Sequence, residues 1–132
     1  MTVAVAHRIS PTTGLVLREA VAEACRRGTD LAVLHVVESI DADRTEAYRL
    51  GVSDDLARAL GQEPDVAWKL HLVTATSPAF GNELVSLANE VEADVLVIGA
   101  RRRSPVGKAL LGSVAQTVIL EANCPVLVIK AP

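Results

Sequence analysis

Five short apolar runs, rich in valine, leucine and isoleucine, alternate with four stretches of helical periodicity along this chain of 132 residues. The apolar runs are Thr2 to His7, Leu31 to Val37, Val66 to Thr74, Asp94 to Ile98 and Pro125 to Lys130. The helical stretches are Thr13 to Arg27, Asp43 to Leu60, Ala79 to Val91 and Val114 to Glu121. Such alternation is typical of parallel βαβ units. The sequence therefore predicts one α/β domain over residues 1–132, with an open, doubly wound parallel sheet and helices on both faces.

Glycines bear on two of the predicted helices. Gly28 follows the first helical stretch, at the position where a C-terminal glycine cap is expected. In the second stretch, Gly51-Val52-Ser53 separates two groups of apolar residues. We therefore expect the second helix to be interrupted or kinked at this point.

The composition bears on the partners of the chain. Only 2% of the residues are aromatic and the net charge is −3, so neither aromatic stacking platforms nor a basic field is available for nucleic acid. The first residues do not resemble a signal peptide, and no apolar stretch approaches the length of a membrane span. We therefore expect a soluble, cytoplasmic protein with no nucleic-acid or membrane partner.

Cysteine and histidine offer no local metal or redox motif. Cys25 and Cys124 have neither disulfide nor metal-ligand spacing, and we expect both to be buried as small apolar residues. His7, His35 and His71 fall in three different strands, and nothing in their spacing shows that they converge. We expect His35 and His71 in the core or on a sheet face, whereas His7 ends its strand and could line a crevice there.

The segment from Gly99 to Ser113 joins the fourth apolar run to the last helical stretch and contains several basic residues. A glycine at a strand end, a basic loop and a helix start together form the arrangement in which α/β folds bind anions. This segment is therefore the main candidate for a functional site.

Four segments of the chain together resemble the universal stress protein family. They are Val95 to Gly99, Leu110 to Val114, Cys124 to Ile129 and, on the second strand, Leu34-His35-Val36. The resemblance covers essentially the whole chain. It implies an adenine nucleotide α-hydrolase-like fold with strand order 3-2-1-4-5 and a stress-response regulatory function in the cytoplasm.

Members of that family divide into nucleotide binders and non-binders, and this chain keeps part of the binders' motif. Gly99 matches the first glycine and Gly112-Ser113 match the last pair, whereas Arg102 stands where the second glycine is expected. Arg8 stands where binders usually have an aspartate at the end of the first strand. Arginine at position 102 either closes the approach of a phosphate to the backbone or replaces it with a guanidinium contact.

The resemblance implies a ligand site at the carboxyl ends of the strands, for ATP, AMP or another phosphorylated molecule, with Mg²⁺ only if ATP binds. The predicted site residues are Ala6, His7, Arg8, Val36, Gly99, Arg101, Arg102, Arg103, Gly112, Ser113 and Val114. In one interpretation the arginines clamp phosphate oxygens beside the amides of the last helix. In the other, the arginines are solvated and Ser113 is a helix cap, because Ser113 to Gln116 fits a capping box.

The last apolar run, Pro125 to Lys130, would form an exposed sheet edge unless a second chain covered it. The resemblance implies a homodimer through this strand. Two alternatives to a ligand-binding module stay open. One is a dimeric scaffold with a degenerate site. The other, weaker alternative is an α-hydrolase-like enzyme, which lacks support because no Ser-Gly-Gly-x-Asp-Ser loop follows the first strand. No catalytic nucleophile is evident, so we predict a protein that is not an enzyme, with slow ATP hydrolysis left open.

Overall fold

The computed structural model describes residues 2–8, 10, 12–38, 42–61, 66–100 and 112–130. The strands are β1 Thr2–Ala6, β2 Asp30–Glu38, β3 Trp68–Ala75, β4 Val95–Ala100 and β5 Val126–Lys130. The helices are α1 Thr13–Arg27, α2 Ala42–Leu60, α3 Phe80–Glu90 and α4 Ser113–Glu121, and a short 3₁₀ turn, Ser77–Ala79, precedes α3. Every strand lies within two residues of its predicted bounds.

The five strands form one parallel sheet in the order β3-β2-β1-β4-β5, as predicted. The central strand β1 pairs with β2 on one side and with β4 on the other. Because the chain passes from β1 to β2 in one direction across the sheet and from β4 to β5 in the other, a crevice opens at the carboxyl ends of β1 and β4, which is the usual ligand position in such folds.

Alternation along each strand places two hydrophobic cores on opposite faces of the sheet. On β2, Leu31 and Val33 pack with α1 and α2, whereas Ala32 and Leu34 pack with α3 and α4. The first core, with α1 and α2, is called the α1–α2 face below, and the second the α3–α4 face. Both cores consist mainly of valine, leucine and alanine, as the low aromatic content requires.

Helix α1 has the predicted bounds and the predicted cap. Gly28 follows it with φ 63° and ψ 40°, a left-handed conformation that glycine adopts without a Cβ clash. Its amide reaches the carbonyl of Cys25 at 3.2 Å. The expected burial of Cys25 is wrong, because this side chain is exposed, and Cys124 is only half-buried.

Helix α2 is continuous, so the predicted interruption at Gly51 is wrong. Val52, Leu56 and Leu60 are all buried and continue one apolar stripe through this part of the helix. Gly51 itself is exposed, and a Cβ there would meet no atom within 4 Å. Burial of the stripe outweighs the helix-weakening effect of glycine.

Strand β5 lies at one edge of the sheet and pairs only with β4 among the described residues. Its apolar side chains Val126, Leu127, Val128 and Ile129 remain half-buried. On the neighbouring α4, Leu120 keeps 79% of its surface exposed. Within the part of the chain that the structure describes, no helix is both long and apolar enough to span a membrane.

Candidate functional site

A cavity of about 550 Å³ opens at the carboxyl ends of β1, β2 and β4. Its walls also include the start of α1, the start of α4 and residues from α2 and α3. This volume falls within the range of pockets that hold small organic ligands, roughly 300 to 1,000 Å³.

The structure brings together every predicted site residue that it describes. Those lining the cavity are Ala6, His7, Arg8, Val36, Gly99, Gly112, Ser113 and Val114. Arg101, Arg102 and Arg103 lie outside the described residues. The choice between a guanidinium clamp and a solvated loop therefore stays a prediction, as does the binding role of each lining residue.

Gly99 is the next-to-last residue of β4, where it pairs with Ile129 of β5. Its φ is not positive, so conformational freedom does not explain this glycine. A Cβ at this position would lie 2.9 Å from Cγ2 of Val16 on α1. Gly99 therefore lets helix α1 pack directly against the strand backbone at the edge of the cavity.

The N-terminus of α4 faces the cavity with its first residues, Gly112 to Ala115. The helix begins at Ser113, and Gly112 is the cap residue, with φ −64° and ψ 162° and no side-chain capping bond. The capping role expected for Ser113 is therefore wrong. The first turn leaves the amides of Ser113, Val114 and Ala115 without intrahelical acceptors, at the positive end of the helix dipole. Ser113 is exposed and lines the cavity, so its hydroxyl is placed to contact a ligand.

A turn stabilised by hydroxyl groups connects β1 to α1. Thr13 donates its hydroxyl hydrogen to the carbonyl of Arg8 and accepts the amide hydrogen of Ser10 at 2.9 Å. The hydroxyls of Ser10 and Thr12 are 3.1 Å apart. These bonds fix the backbone at Arg8 and leave its side chain exposed at the cavity.

Two histidines and a tyrosine form a hydrogen-bonded chain in the wall of the cavity. Nδ1 of His7 lies 2.8 Å from Nδ1 of His35, and Nε2 of His35 lies 3.0 Å from the hydroxyl oxygen of Tyr48 on α2. His35 is buried, with 3% of its surface exposed, whereas His7 and Tyr48 are half-buried. All three residues line the cavity.

Burial keeps both histidines neutral at pH 7. It lowers the pKa of His35 to about 4, and the neighbouring His7 contributes to that decrease. Burial also lowers the pKa of His7, although the charge of Asp55 on α2 opposes the decrease. The pKa of Tyr48 is raised because burial disfavours the phenolate. The hydrogen-bonded chain of His7, His35 and Tyr48 therefore consists of uncharged groups.

The convergence of His7 and His35 was not predicted from the sequence, although a signal for it exists. His7 continues the row of Val3 and Val5 on β1, and His35 continues the row of Leu31 and Val33 on β2. Because β1 and β2 are parallel neighbours, with Ala6 opposite Leu34, these two rows end side by side. His71 on β3 does not line the cavity.

The donor set of the cavity suits an anion better than a cation. Among the described residues, no group of three or more histidine, cysteine, aspartate or glutamate side chains could hold a metal ion. Arg8, the hydroxyl of Ser113 and the free amides of α4 supply positive charge and hydrogen-bond donors. Apolar residues, including Val36, Leu84 and Ile98, form a large part of the lining. The lining also contains polar side chains, namely Glu38, Ser10, Thr12, Thr13, Ser77 and the group of His7, His35 and Tyr48.

Comparisons with known proteins agree with this architecture. The model of the universal stress protein family matches residues 1–130. A universal stress protein of Mycolicibacterium smegmatis is 32% identical over 128 residues, which are 97% of this chain and 96% of that protein. Among solved structures, a universal stress protein from Archaeoglobus fulgidus superposes with a TM-score of 0.79 at 34% identity, covering 98% of both chains.

Another similar solved structure contains a bound nucleotide. It is the universal stress protein from Archaeoglobus fulgidus in complex with dAMP. It superposes on this chain with a TM-score of 0.72 at 30% identity, and the match covers 98% of each chain.

Proposed function

Because this chain belongs to the universal stress protein family, we propose that it binds an adenine nucleotide in the cavity at the strand ends. The observation that carries this proposal is the cavity itself, which combines apolar residues with groups that can bind an anion. A nucleotide has the same division, since its base is largely apolar on its faces and its phosphate is anionic. The related protein in complex with dAMP supports the same ligand class.

The chemistry of the lining suggests how each part of the nucleotide is bound. The phosphate would lie at the N-terminus of α4, where the amides of Ser113 to Ala115 and the hydroxyl of Ser113 donate hydrogen bonds. Arg8 would supply the compensating charge. The base would pack against the apolar residues Val36, Leu84 and Ile98.

We further infer from the family a regulatory role in the response to stress, in the cytoplasm, with nucleotide binding as the signal. Both ATP and AMP are candidate ligands, and Mg²⁺ would accompany ATP through its phosphates. Hydrolysis is not part of the proposal.

Titration calorimetry on nucleotide-free protein tests the proposal. We expect saturable binding of AMP or ATP, and we expect Ser113→Ala to weaken it about tenfold, because the phosphate loses one charge-assisted hydrogen bond. Arg8→Gln should weaken binding by a similar factor. Absence of heat with both nucleotides at millimolar concentration would contradict the proposal.

Matched variants outside the cavity serve as controls. Ser86 on α3 and Arg18 on α1 are exposed and do not line the cavity. Ser86→Ala and Arg18→Gln should therefore leave the affinity for nucleotide unchanged. If they weaken binding as much as the site variants do, the nucleotide is bound elsewhere or through nonspecific charge.

A second candidate function, a dimeric scaffold, has its own support in strand β5. This edge strand presents half-buried valine, leucine and isoleucine side chains, and an uncovered apolar edge favours pairing with another chain. We propose a homodimer through β5, which is compatible with either function. Sedimentation equilibrium should show a dimer, which Val128→Lys weakens and Leu50→Lys, on the exposed surface of α2, does not. A dimer with no nucleotide binding would favour the scaffold, and a monomer would exclude it.

A further inference from the structure

The hydrogen-bonded chain of Tyr48, His35 and His7 has two possible directions. Two Nδ1 atoms 2.8 Å apart share one hydrogen, so one imidazole donates at Nδ1 and the other accepts. Because each neutral imidazole carries a single N–H, the choice at this contact also fixes the state of both Nε2 atoms. The direction of the hydrogen-bonded chain thus decides whether Nε2 of His7 is a donor or an acceptor toward the cavity.

In the first direction, each residue donates to the next in the order Tyr48, His35, His7, and His7 is left with a hydrogen to donate to a ligand. Tyr48 donates to Nε2 of His35, His35 donates from Nδ1 to Nδ1 of His7, and His7 carries its hydrogen on Nε2. In the second direction, His7 donates to His35, His35 donates to the oxygen of Tyr48, and Nε2 of His7 becomes an acceptor.

Two observations favour the first direction. It gives the hydroxyl hydrogen of Tyr48 an acceptor, whereas the second leaves that hydrogen without one among the described residues. It also directs the Nε2 hydrogen of His7 into a cavity where Arg8 and the first amides of α4 are donors as well, beside the carboxylate of Glu38. A ligand that satisfies those donors is rich in oxygen acceptors.

We propose that His7 determines specificity by donating a hydrogen bond from Nε2 to an oxygen atom of the bound nucleotide, and that His35 and Tyr48 hold it in the required tautomer. His7 touches the ligand, while His35 and Tyr48 are positioning residues. The hydrogen bond adds no charge to the site. This inference rests on the proposed function, since it assigns one contact within the same cavity.

The tautomers can be measured without any nucleotide. Long-range proton–nitrogen correlation spectra of ¹⁵N-labelled protein distinguish protonated from unprotonated ring nitrogens. We expect a hydrogen on Nδ1 of His35 and on Nε2 of His7. In Tyr48→Phe, which removes the donor to His35, we expect His35 to shift toward the opposite tautomer, and His7 with it. A hydrogen on Nδ1 of His7 in the wild-type protein would overturn the proposal.

Binding of three ligands identifies the oxygen acceptor. AMP, 2′-deoxy-AMP and adenosine differ in the 2′-hydroxyl and the phosphate, and each is titrated into the wild-type protein and into His7→Phe. We expect His7→Phe to weaken AMP binding about tenfold, the cost of one hydrogen bond to a desolvated partner. If the contact is to the phosphate, adenosine binding is unaffected. If it is to the 2′-hydroxyl, 2′-deoxy-AMP binding is unaffected while adenosine binding is weakened.

His71→Phe is the matched control, because His71 lies on β3 and does not line the cavity. Circular dichroism shows whether each variant is folded. Tyr48→Phe keeps His7 but alters its tautomer, so we expect this variant to weaken AMP binding about threefold. If wild-type protein binds AMP and His7→Phe binds it equally well, the inference falls and the proposed function stands. If wild-type protein binds none of the three ligands, the proposed function falls with the ligand contact, while the spectra still decide the direction of the chain.

Discussion

The two faces of the sheet end differently at the cavity. On the α1–α2 face, the apolar rows of β1 and β2 end in His7 and His35, which form a polar wall with Tyr48. On the α3–α4 face, the row of β2 continues to Val36, which lies with Leu84 of α3 in an apolar part of the wall, and then to the exposed Glu38 at the end of the strand. The cores behind the two walls are alike in composition. The difference shows that the few residues at the carboxyl end of each strand determine the chemistry of the wall, while the residues before them form the core.

The comparison predicts first that the two cores contribute equally to stability, although their walls differ. Leu31 and Leu34 lie on the same strand, are almost fully buried and point to opposite faces. We expect Leu31→Ala and Leu34→Ala each to lower the free energy of unfolding by about 3 kcal/mol, from lost burial and cavity formation. Urea denaturation followed by circular dichroism measures both, with the exposed Leu50→Ala as control. A decrease in the free energy of unfolding of less than about 1 kcal/mol for only one of the two variants would contradict the expected equality of the two cores.

The comparison also predicts that acid sensitivity resides in the polar wall. Folding lowers the pKa of His35 from 6.5 to about 4. Between these two values the unfolded chain binds a proton that the folded ring does not, so stability falls as the pH falls through this window. From pH 7 to pH 5 this amounts to about 2 kcal/mol, and His7, whose pKa is also lowered, acts in the same direction.

Chemical denaturation at the two pH values checks this expectation. His35→Gln should abolish most of the decrease, because glutamine does not titrate. His71→Gln, outside the cavity, should keep most of it, although the pKa of His71 is also lowered by burial. An equal decrease in the wild-type protein and in His35→Gln would show that the acid sensitivity arises elsewhere.

The smallest expected effect concerns the closeness of helix packing on the α3–α4 face. A Cβ at Gly81 of α3 would lie 2.7 Å from Cβ of Thr117 on α4, whereas a Cβ at Gly14 of α1 would meet nothing within 4 Å. We expect Gly81→Ala to lower the free energy of unfolding by about 1 kcal/mol through overpacking. Gly14→Ala should raise it by about 0.5 kcal/mol, because alanine favours the helix. Thermal melting measures both, and Gly81→Ala should cost less in a Thr117→Gly background, because glycine removes the Cβ that the new methyl group would meet. An equal cost in that background would show that this contact is not the cause.

The sequence predicts most of the fold because the relevant signals are local. Apolar runs, helical periodicity and the glycine after α1 identify the elements, and the family resemblance supplies the strand order. The interruption of α2 was predicted wrongly because Gly51 weakens the helix only locally, whereas burial of Val52 and Leu56 acts through the whole fold.

The candidate site was predictable in outline and not in its contacts. The residues at strand ends follow from the topology, and those predicted there do line the cavity, whereas the lining residues of α1, α2 and α3 were not predicted. The contact between His7 and His35 depends on the register of two strands that are 28 residues apart, which no local pattern encodes. The interpretation of Ser113 as a cap was one of two left open, because a sequence cannot fix the first residue of a helix to within one position, and the structure makes Gly112 the cap.

The position of β1 between β2 and β4 has a consequence for how the protein acquires its function. During synthesis β1 and β2 emerge first, and β1 receives its second neighbour only when β4, more than 85 residues later, has been made. Helix α4 follows later still, so no nascent fragment contains the complete cavity. If the proposed nucleotide binds in this cavity, it stabilises only the finished domain, by RT ln(1 + [L]/Kd), and its concentration acts on the lifetime of completed molecules without altering their assembly.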